Sequence, residues 1–160
     1  ILDNKLYCHS AQYVYLCIPQ ISLLEWHPYS IANAPNENKI IYIKVLGDWS
    51  KNLKYLIQNN EKIDIYFDGF YGNISKYLIE YQYILLIGGG IGITPILSLL
   101  KHIYYNYKNN LQYIKKIHFI CTFDDFKKIT YLLDPLYSEY KEILDKENIY
   151  KYNLYHGTAI

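Results

Sequence analysis

A glycine-rich turn between two apolar runs constrains the fold of this chain more than any other feature. Tyr83–Ile87 form a continuous apolar run that predicts a buried strand, and four glycines lie among the next five residues. Thr94 and Pro95 then begin a second apolar run, where proline fits the first turn of a helix. Because such a turn lets backbone N–H groups approach a negative charge, the unit favours phosphate binding over an empty tight turn. The glycines and Pro95 also argue against a membrane span over Tyr83–Leu100.

The rest of the second half alternates strands with helices. The predicted strands after the glycine turn are Ile117–Thr122 and Ile149–Tyr155. The predicted helices are Ile96–Tyr107 and Lys127–Tyr140. This alternation is typical of α/β folds, so residues 81–160 are predicted to form part of a doubly wound parallel sheet.

The first half consists of short apolar runs between turn residues. The predicted strands are Tyr13–Ile18, Ile40–Val45 and Ile63–Phe67, and the last of these is closed by Asp68-Gly69. A short helix is predicted over Lys51–Ile57, with Ser50 as its N-cap. Residues 1–80 are therefore predicted to form part of a small antiparallel barrel or sandwich, of α+β type, with a domain boundary near Leu78–Gln82.

Composition excludes several classes of partner. The formal net charge is +1, so no strong electrostatic field attracts nucleic acid. All 16 basic residues are lysine, so lysine must replace arginine at any phosphate-binding site. The spacing of the five histidines and three cysteines predicts no metal site, and the cysteines are expected to be buried thiols. The chain holds no methionine and begins at Ile1, so we expect it to be part of a longer protein.

An extended segment carries three groups that suit a flavin. Tyr29 offers an aromatic plane for the ring, Ser30 a hydroxyl near the redox nitrogen, and His27 a donor for the diphosphate. Pro28 keeps the segment extended. Taken alone, these four residues fit an ordinary loop better.

Four motifs in order, the first with a short segment after it, resemble those of NADPH oxidases and ferric reductases. The family's E-W-H-P-F-(T/S) and S-A-P are similar to Glu25–Ser30 and Asn33-Ala34-Pro35. Its G-D-W-T, D-G-P-Y-G and G-x-G-I-G-x-T-P motifs are similar to Gly47–Ser50, Asp68–Gly72 and Gly88–Pro95. The resemblance covers nearly the whole chain, and E-W-H-P and G-D-W favour the oxidase branch over soluble ferredoxin reductases.

The resemblance implies a ferredoxin-reductase-like fold, with an FAD-binding barrel followed by a domain that binds NADPH or NADH. Tyr29 would stack on FAD, Ser30 would lie near its redox nitrogen, and Gly72 and Ser75 would form a G-x-x-S turn at the diphosphate. A helix cap is the alternative role for Ser75. The implied FAD-binding residues are His27, Pro28, Tyr29, Ser30, Ile31, Ala32, Asn33, Lys44, Gly72 and Ser75. The implied nucleotide-binding residues are Gly88, Gly90, Ile91, Gly92, Thr94, Pro95, Asp124 and Thr158.

The chain departs from the family pattern at three positions. Ala11 stands in place of the glycine of P-G-Q-Y, and Phe70 in place of the proline of D-G-P-Y-G, and both are tolerable changes in loops. Asp124 stands where the family carries an arginine for the 2′-phosphate of NADPH, which favours NADH unless Lys127 or Lys128 replaces it. Capping of the next helix is an equally good reason for Asp124.

The resemblance implies an oxidoreductase in which Tyr29, Ser30 and Thr94 lie at the site of hydride transfer from NAD(P)H to FAD. Electrons would pass on to haems in a transmembrane domain of the same parent chain and then to O₂ or ferric iron. The chain would then be a cytosolic-facing domain of an integral membrane protein. Two alternatives stay open, namely a soluble ferredoxin-reductase-like flavoprotein and a catalytically incomplete fragment that acts only as a binding module.

Overall fold

The computed structural model describes residues 7–33, 38–59, 62–78, 80–109, 114–123, 130–134, 138 and 150–156. Within these ranges the chain forms two separate three-stranded sheets, one antiparallel and one parallel. The predicted fold class is confirmed by this order. Asp124, Thr158 and most of the predicted helix Lys127–Tyr140 lie outside the described residues, although 130–134 and 138 are helical.

The antiparallel sheet has the order β2-β1-β3, with β1 at Tyr13–Cys17, β2 at His27–Ser30 and β3 at Tyr66–Tyr71. The third predicted strand is displaced toward the C-terminus, because Asp68 and Gly69 lie inside β3 rather than closing it. Gly69 has a φ of +136°, and a Cβ there would lie 3.2 Å from the carbonyl oxygen of Tyr13. Glycine therefore allows the close approach of β3 to β1 beside a register shift.

The strand predicted over Ile40–Val45 does not form. Among the described residues, it pairs through an isolated bridge between Ile41 and Ile31, next to a hydrogen bond from Ala32 N–H to the carbonyl of Ile40. β-branched residues favour a pleated surface, but they form a ladder only where a neighbouring strand offers an edge, and no described strand does so here. The segment instead runs past the end of β2 and enters the following helix.

Helix α1 spans Asp48–Gln58 and begins three residues before the predicted start. Gly47, not Ser50, is its N-cap residue. Ser50 Oγ accepts a hydrogen bond from Leu46 N–H and donates one to the carbonyl of Gly47, both at 2.9 Å. The serine thus ties the first turn to the approaching chain, and the buried side of the helix carries Trp49 and Leu53.

The parallel sheet has the order β4-β5-β6, with strands at Tyr83–Gly89, Lys116–Phe123 and Tyr150–His156. A 3-10 turn at Gly90–Ile93 leads from β4 into helix α3, Thr94–Lys108. The short helix α2, Ile74–Leu78, precedes β4. The predicted domain boundary stays a prediction, although it falls between the two sheets.

β4 is not buried on both faces, which corrects the expectation of a fully buried strand. Ile84 and Leu86 face the core, whereas Tyr83, Leu85 and Ile87 are 68%, 58% and 66% exposed. The reason is that the described helical residues cover one face. The apolar side of α3 and the leucines of segment 130–134 pack in the same core cluster as Ile84 and Leu86.

Candidate cofactor site

A cavity of about 400 Å³ opens where the antiparallel sheet meets the start of α3. Clefts of this size are typical of small-molecule sites. Its walls come from three places: β2, the segment that leads into α1, and the turn before α3. The lining residues are His27, Pro28, Tyr29, Ser30, Tyr42, Lys44, Leu46, Gly47, Trp49, Ser50, Ile91, Gly92, Thr94 and Pro95.

The first wall is strand β2, which β1 holds in register through the pairs Tyr13 with Ser30 and Leu16 with His27. Because all four residues of β2 line the cavity, the whole predicted flavin segment lies at one surface. Burial raises the pKa of the Tyr29 phenol, so it stays protonated at neutral pH and presents a neutral ring.

The rings of this wall are held together by Trp49. Its ring centroid lies 4.5 Å from that of His27 and 6.0 Å from that of Tyr29, and the Tyr29 pair is stacked at 27°. Such offset contacts fix the orientation of both rings. Among the described residues, neither Trp49 Nε1 nor His27 Nε2 has a hydrogen-bond partner, and Glu25 Oε2 is 3.9 Å from His27 Nε2, too far for one.

The second wall is the N-terminus of α1, which sequence reasoning missed. Gly47, Trp49 and Ser50 line the cavity beside Lys44. The first backbone N–H groups of a helix lack partners within the helix and favour negative charge. The G-x-x-S spacing that we assigned to Gly72–Ser75 also occurs at Gly47–Ser50, and that repeated spacing is the signal that would have found this wall.

The third wall is the end of the glycine turn. Ile91, Gly92, Thr94 and Pro95 line the cavity, and Thr94 Oγ1 donates a hydrogen bond to the carbonyl of Ile91 at 3.1 Å. That bond occupies the Thr94 hydroxyl within the turn. The backbone of Gly92 and the first turn of α3 therefore form this wall of the cavity.

The first glycines of the turn serve packing rather than the cavity wall. A Cβ at Gly88 would lie 2.6 Å from Ile96 Cδ1, and Gly90 has a φ of +50°. A side chain at the first position would displace the end of the Ile96 side chain on α3, and the second position favours glycine by its backbone alone. Neither residue lines the cavity.

Other predicted site residues lie away from the cavity. Ile31 and Ala32 are 0% and 1% exposed, and the side-chain amide of Asn33 donates to the carbonyl of Asn38. The carbonyl of Gly72 accepts a bond from the Gln12 side chain, and Ser75 is the second residue of α2 and buried. Asp124 and Thr158 lie outside the described residues. These assignments stay predictions.

Two family models match the chain, one described as an FAD-binding domain over residues 3–117 and the other as a ferric reductase NAD-binding domain over residues 81–157. The chain belongs to this flavin-dependent reductase family. The resemblance drawn from the motifs is thereby confirmed. The two matches overlap over residues 81–117, so they set no boundary between the halves.

NADPH oxidases and ferric reductases are among the relatives of this family member. NADPH oxidase 1 of Mus musculus is 36% identical over 153 residues, covering 91% of this chain and 26% of the relative. Ferric reduction oxidase 7, chloroplastic, of Arabidopsis thaliana is 32% identical over 113 residues, covering 59% of this chain and 15% of the relative. The chain thus spans about a quarter or less of the length of these relatives.

A solved structure of ferredoxin-NADP+ reductase from Plasmodium falciparum shares the fold of this family member. Its TM-score is 0.64 at 19% identity, covering 96% of this chain and 59% of that one. In the part of the chain that the structure describes, no helix has the length and apolar character needed to cross a membrane.

Proposed function

We propose that the chain forms the FAD- and NAD(P)H-binding part of an oxidoreductase that passes electrons to a membrane-bound acceptor. The observation that carries this proposal is the shared cavity. The flavin segment, at His27–Ser30, and the nicotinamide turn, at Ile91–Pro95, line the same space. Direct transfer of a hydride requires that its donor and its acceptor meet in van der Waals contact, and one cavity with both walls meets that requirement.

The wall residues fit FAD. Trp49 is 8% exposed and its indole N–H is unpaired among the described residues, so a bound acceptor atom would satisfy it. Lys44 and the first turn of α1 supply positive charge and N–H donors for the diphosphate. Tyr29, braced by Trp49, offers the aromatic surface for the ring system, and Ser30 the hydroxyl beside it. Bound FAD supplies the two-electron redox chemistry that no side chain of the wall has.

The opposite wall suits the nicotinamide dinucleotide. The first turn of α3 and the backbone of Gly92 face the cavity, and Thr94 stands at its edge. These residues would bind the nucleotide and orient it toward the flavin face that is not stacked on Tyr29. The two walls together would exclude water from the reacting atoms. Asp124, where the resemblance expects arginine, leaves the choice between NADPH and NADH to experiment.

The proposed partner is a transmembrane haem domain of the same parent protein, with this chain on its cytosolic face. The support is the similarity to relatives named as NADPH oxidase and ferric reduction oxidase, each much longer than this chain. Their names suggest O₂ or ferric iron as the terminal acceptor.

Titration with FAD tests the proposal. We expect the purified chain to take up FAD with quenching of flavin fluorescence, and anaerobic NADPH or NADH to bleach the bound flavin. The Tyr29→Ala variant should lose FAD affinity by about tenfold, corresponding to one aromatic contact of about 1.4 kcal/mol. Tyr55→Ala is the matched control, since Tyr55 lies on α1 with 64% exposure and does not line the cavity.

Three results separate the possibilities. A folded chain that takes up no FAD contradicts the proposal. Uptake without bleaching by either nucleotide leaves only a binding module. Uptake with bleaching supports the reductase, and the faster of the two nucleotides answers the question raised by Asp124.

A further inference from the structure

A buried serine on α3 connects the two halves of the molecule. Ser98 has no exposed surface, and its hydroxyl makes two hydrogen bonds. It donates to the carbonyl of Asn33 at 2.7 Å and accepts from Ala11 N–H at 3.1 Å. Both partners are backbone groups far away in sequence: Ala11 precedes β1, and Asn33 follows β2.

The two partners flank the strands that form the flavin wall. Asn33 lies three residues after Ser30, and Ala11 lies two residues before β1. Three residues span at most about 10 Å. A shift of the Asn33 carbonyl therefore reaches the wall residues Tyr29 and Ser30 through a short stretch of backbone.

The other end of the connection is the nicotinamide wall. Ser98 follows Thr94 by four residues on α3, so the two lie on one side of the helix about 6 Å apart along its axis. Lys101, one turn further, adds a contact of 3.4 Å between its Nζ and Asn33 Oδ1. Two consecutive turns of α3 thus hold the same residue at the end of the flavin segment.

We infer that Ser98 is a positioning residue that sets the separation of the flavin wall from the nicotinamide wall. The inference rests on the proposed function and adds a residue that does not line the cavity. Without the hydroxyl, the Asn33 carbonyl and Ala11 N–H lose their shared partner, and α3 gains freedom to slide against the barrel. Because hydride transfer depends steeply on distance, the transfer step would suffer before either cofactor's binding does.

The test compares Ser98→Ala with Ile117→Val. Ile117 is 1% exposed in β5, and its variant lowers stability through the parallel-sheet core while both hydrogen bonds of Ser98 keep their donor and acceptor groups. We expect Ser98→Ala to slow single-turnover bleaching of bound flavin by about tenfold, while the dissociation constants for FAD and nucleotide change by less than about threefold. Lys101→Met, which keeps the serine, should slow it less.

A distance measurement tests the same inference without activity. Spin labels at Tyr55→Cys on α1 and Tyr105→Cys on α3 occupy exposed positions in the two halves, and Cys8, Cys17 and Cys121 are buried. Pulsed electron resonance should give a narrow distance distribution for the labelled chain and for Ile117→Val, and a broader one for Ser98→Ala.

The outcomes are decisive in both directions. Slower bleaching with a broader distribution in Ser98→Ala alone supports the inference. An unchanged distribution, or slowing that Ile117→Val matches, overturns it. If the parent chain binds FAD but no nucleotide bleaches it, the proposed function fails, and the distance distribution decides the inference by itself.

Discussion

At the scale of single residues, the backbone of Ala11 explains why the family pattern has glycine at this position. Its φ is +59°, the left-handed region that glycine adopts at little cost, and the family carries glycine there. An alanine in this conformation costs about 1 kcal/mol. The methyl group is nearly buried and packs in the core cluster below α3, which offsets part of that strain.

Substitution of Ala11 tests this account. Ala11→Val should lower the free energy of unfolding by about 2 kcal/mol or more, because a β-branched side chain is strongly disfavoured at positive φ and the site has no room for it. Ala11→Gly is the matched control and should change stability by less than about 1 kcal/mol, since relief of strain balances lost burial and added chain entropy. Urea unfolding measures both, and equal midpoints for the two variants would contradict the strain argument.

Because the sequence has no arginine, Lys44 is the residue that we expect to bind the FAD diphosphate. It lines the cavity beside the first turn of α1. Lys44→Ala should weaken FAD binding by about tenfold, as expected for the loss of a charge-assisted contact at a partly solvated site, and Lys44→Arg should largely restore it.

Flavin fluorescence titration at two salt concentrations measures the effect of Lys44. The parent chain should lose more affinity with added salt than Lys44→Ala does, because the variant has one ionic contact fewer. Lys54→Ala on α1 is the control, since Lys54 does not line the cavity. Equal loss in both variants would point to a general charge effect and against a site contact.

At the scale of elements, the apolar strand β4 has one buried face and one exposed face. β4 reads as uniformly apolar, yet its side chains alternate between the core and an exposed face. The helix that follows it covers one side of the sheet, so burial is decided by the crossover connection and not by strand composition.

A pair of neighbouring substitutions measures this asymmetry. Leu86→Ala should cost about 3 kcal/mol of unfolding free energy, because Leu86 is 8% exposed in the core. Leu85→Ala should cost less than about 1 kcal/mol, because Leu85 is 58% exposed. Chemical denaturation of both variants gives the difference, and similar costs would show that the outer face of β4 is covered in solution.

Helix α3 carries a histidine whose charge bears on stability. Burial, with a smaller contribution from His9, lowers the pKa of His102 from its ordinary value of 6.5. Asn106 Nδ2 lies 3.0 Å from His102 Nε2, a contact that needs this nitrogen unprotonated. The unfolded chain therefore binds the proton more tightly, so stability is full above the unfolded pKa and falls as pH drops below it.

Replacing His102 tests this pH dependence. The melting temperature of the parent chain should fall between about pH 7 and pH 5 more steeply than that of His102→Gln, which has no imidazole to protonate. A parent slope no steeper than that of His102→Gln would rule out this role.

At the scale of the whole molecule, the two halves share core and site. Ala11 and Leu78, from before the parallel sheet, belong to the same buried cluster as α3, β4 and β5. Ser98 adds buried hydrogen bonds across the same contact. This joint packing predicts cooperative unfolding of both halves.

The two tryptophans make that cooperativity measurable. Both lie in the first half, at Trp26 and Trp49, so their fluorescence follows the antiparallel sheet, whereas far-ultraviolet circular dichroism follows both sheets. We expect the two transitions to coincide in urea and to shift together in Leu86→Ala, although that substitution is in the second half. Transitions that separate would show that the halves unfold independently.

The sequence and the tertiary structure determine different features of this protein, and the difference has a physical reason. The sequence by itself determined the family, the order of an antiparallel and a parallel sheet, and the glycine turn, because these follow from local chemistry: apolar periodicity, glycine geometry and motifs read in order. It predicted Tyr29, Ser30, Lys44 and Thr94 for the site, and all four line the cavity.

Only the tertiary structure decided which residues share a surface. It replaced the strand at Ile40–Val45 with an irregular cavity wall, brought Trp49 onto His27 and Tyr29, and set Gly47–Ser50 rather than Gly72–Ser75 at the cavity. It also exposed one face of β4 and linked Ser98 to Asn33, 65 residues away. Such contacts depend on how segments that are distant in sequence pack together, and a local sequence pattern does not specify which distant segments it will contact.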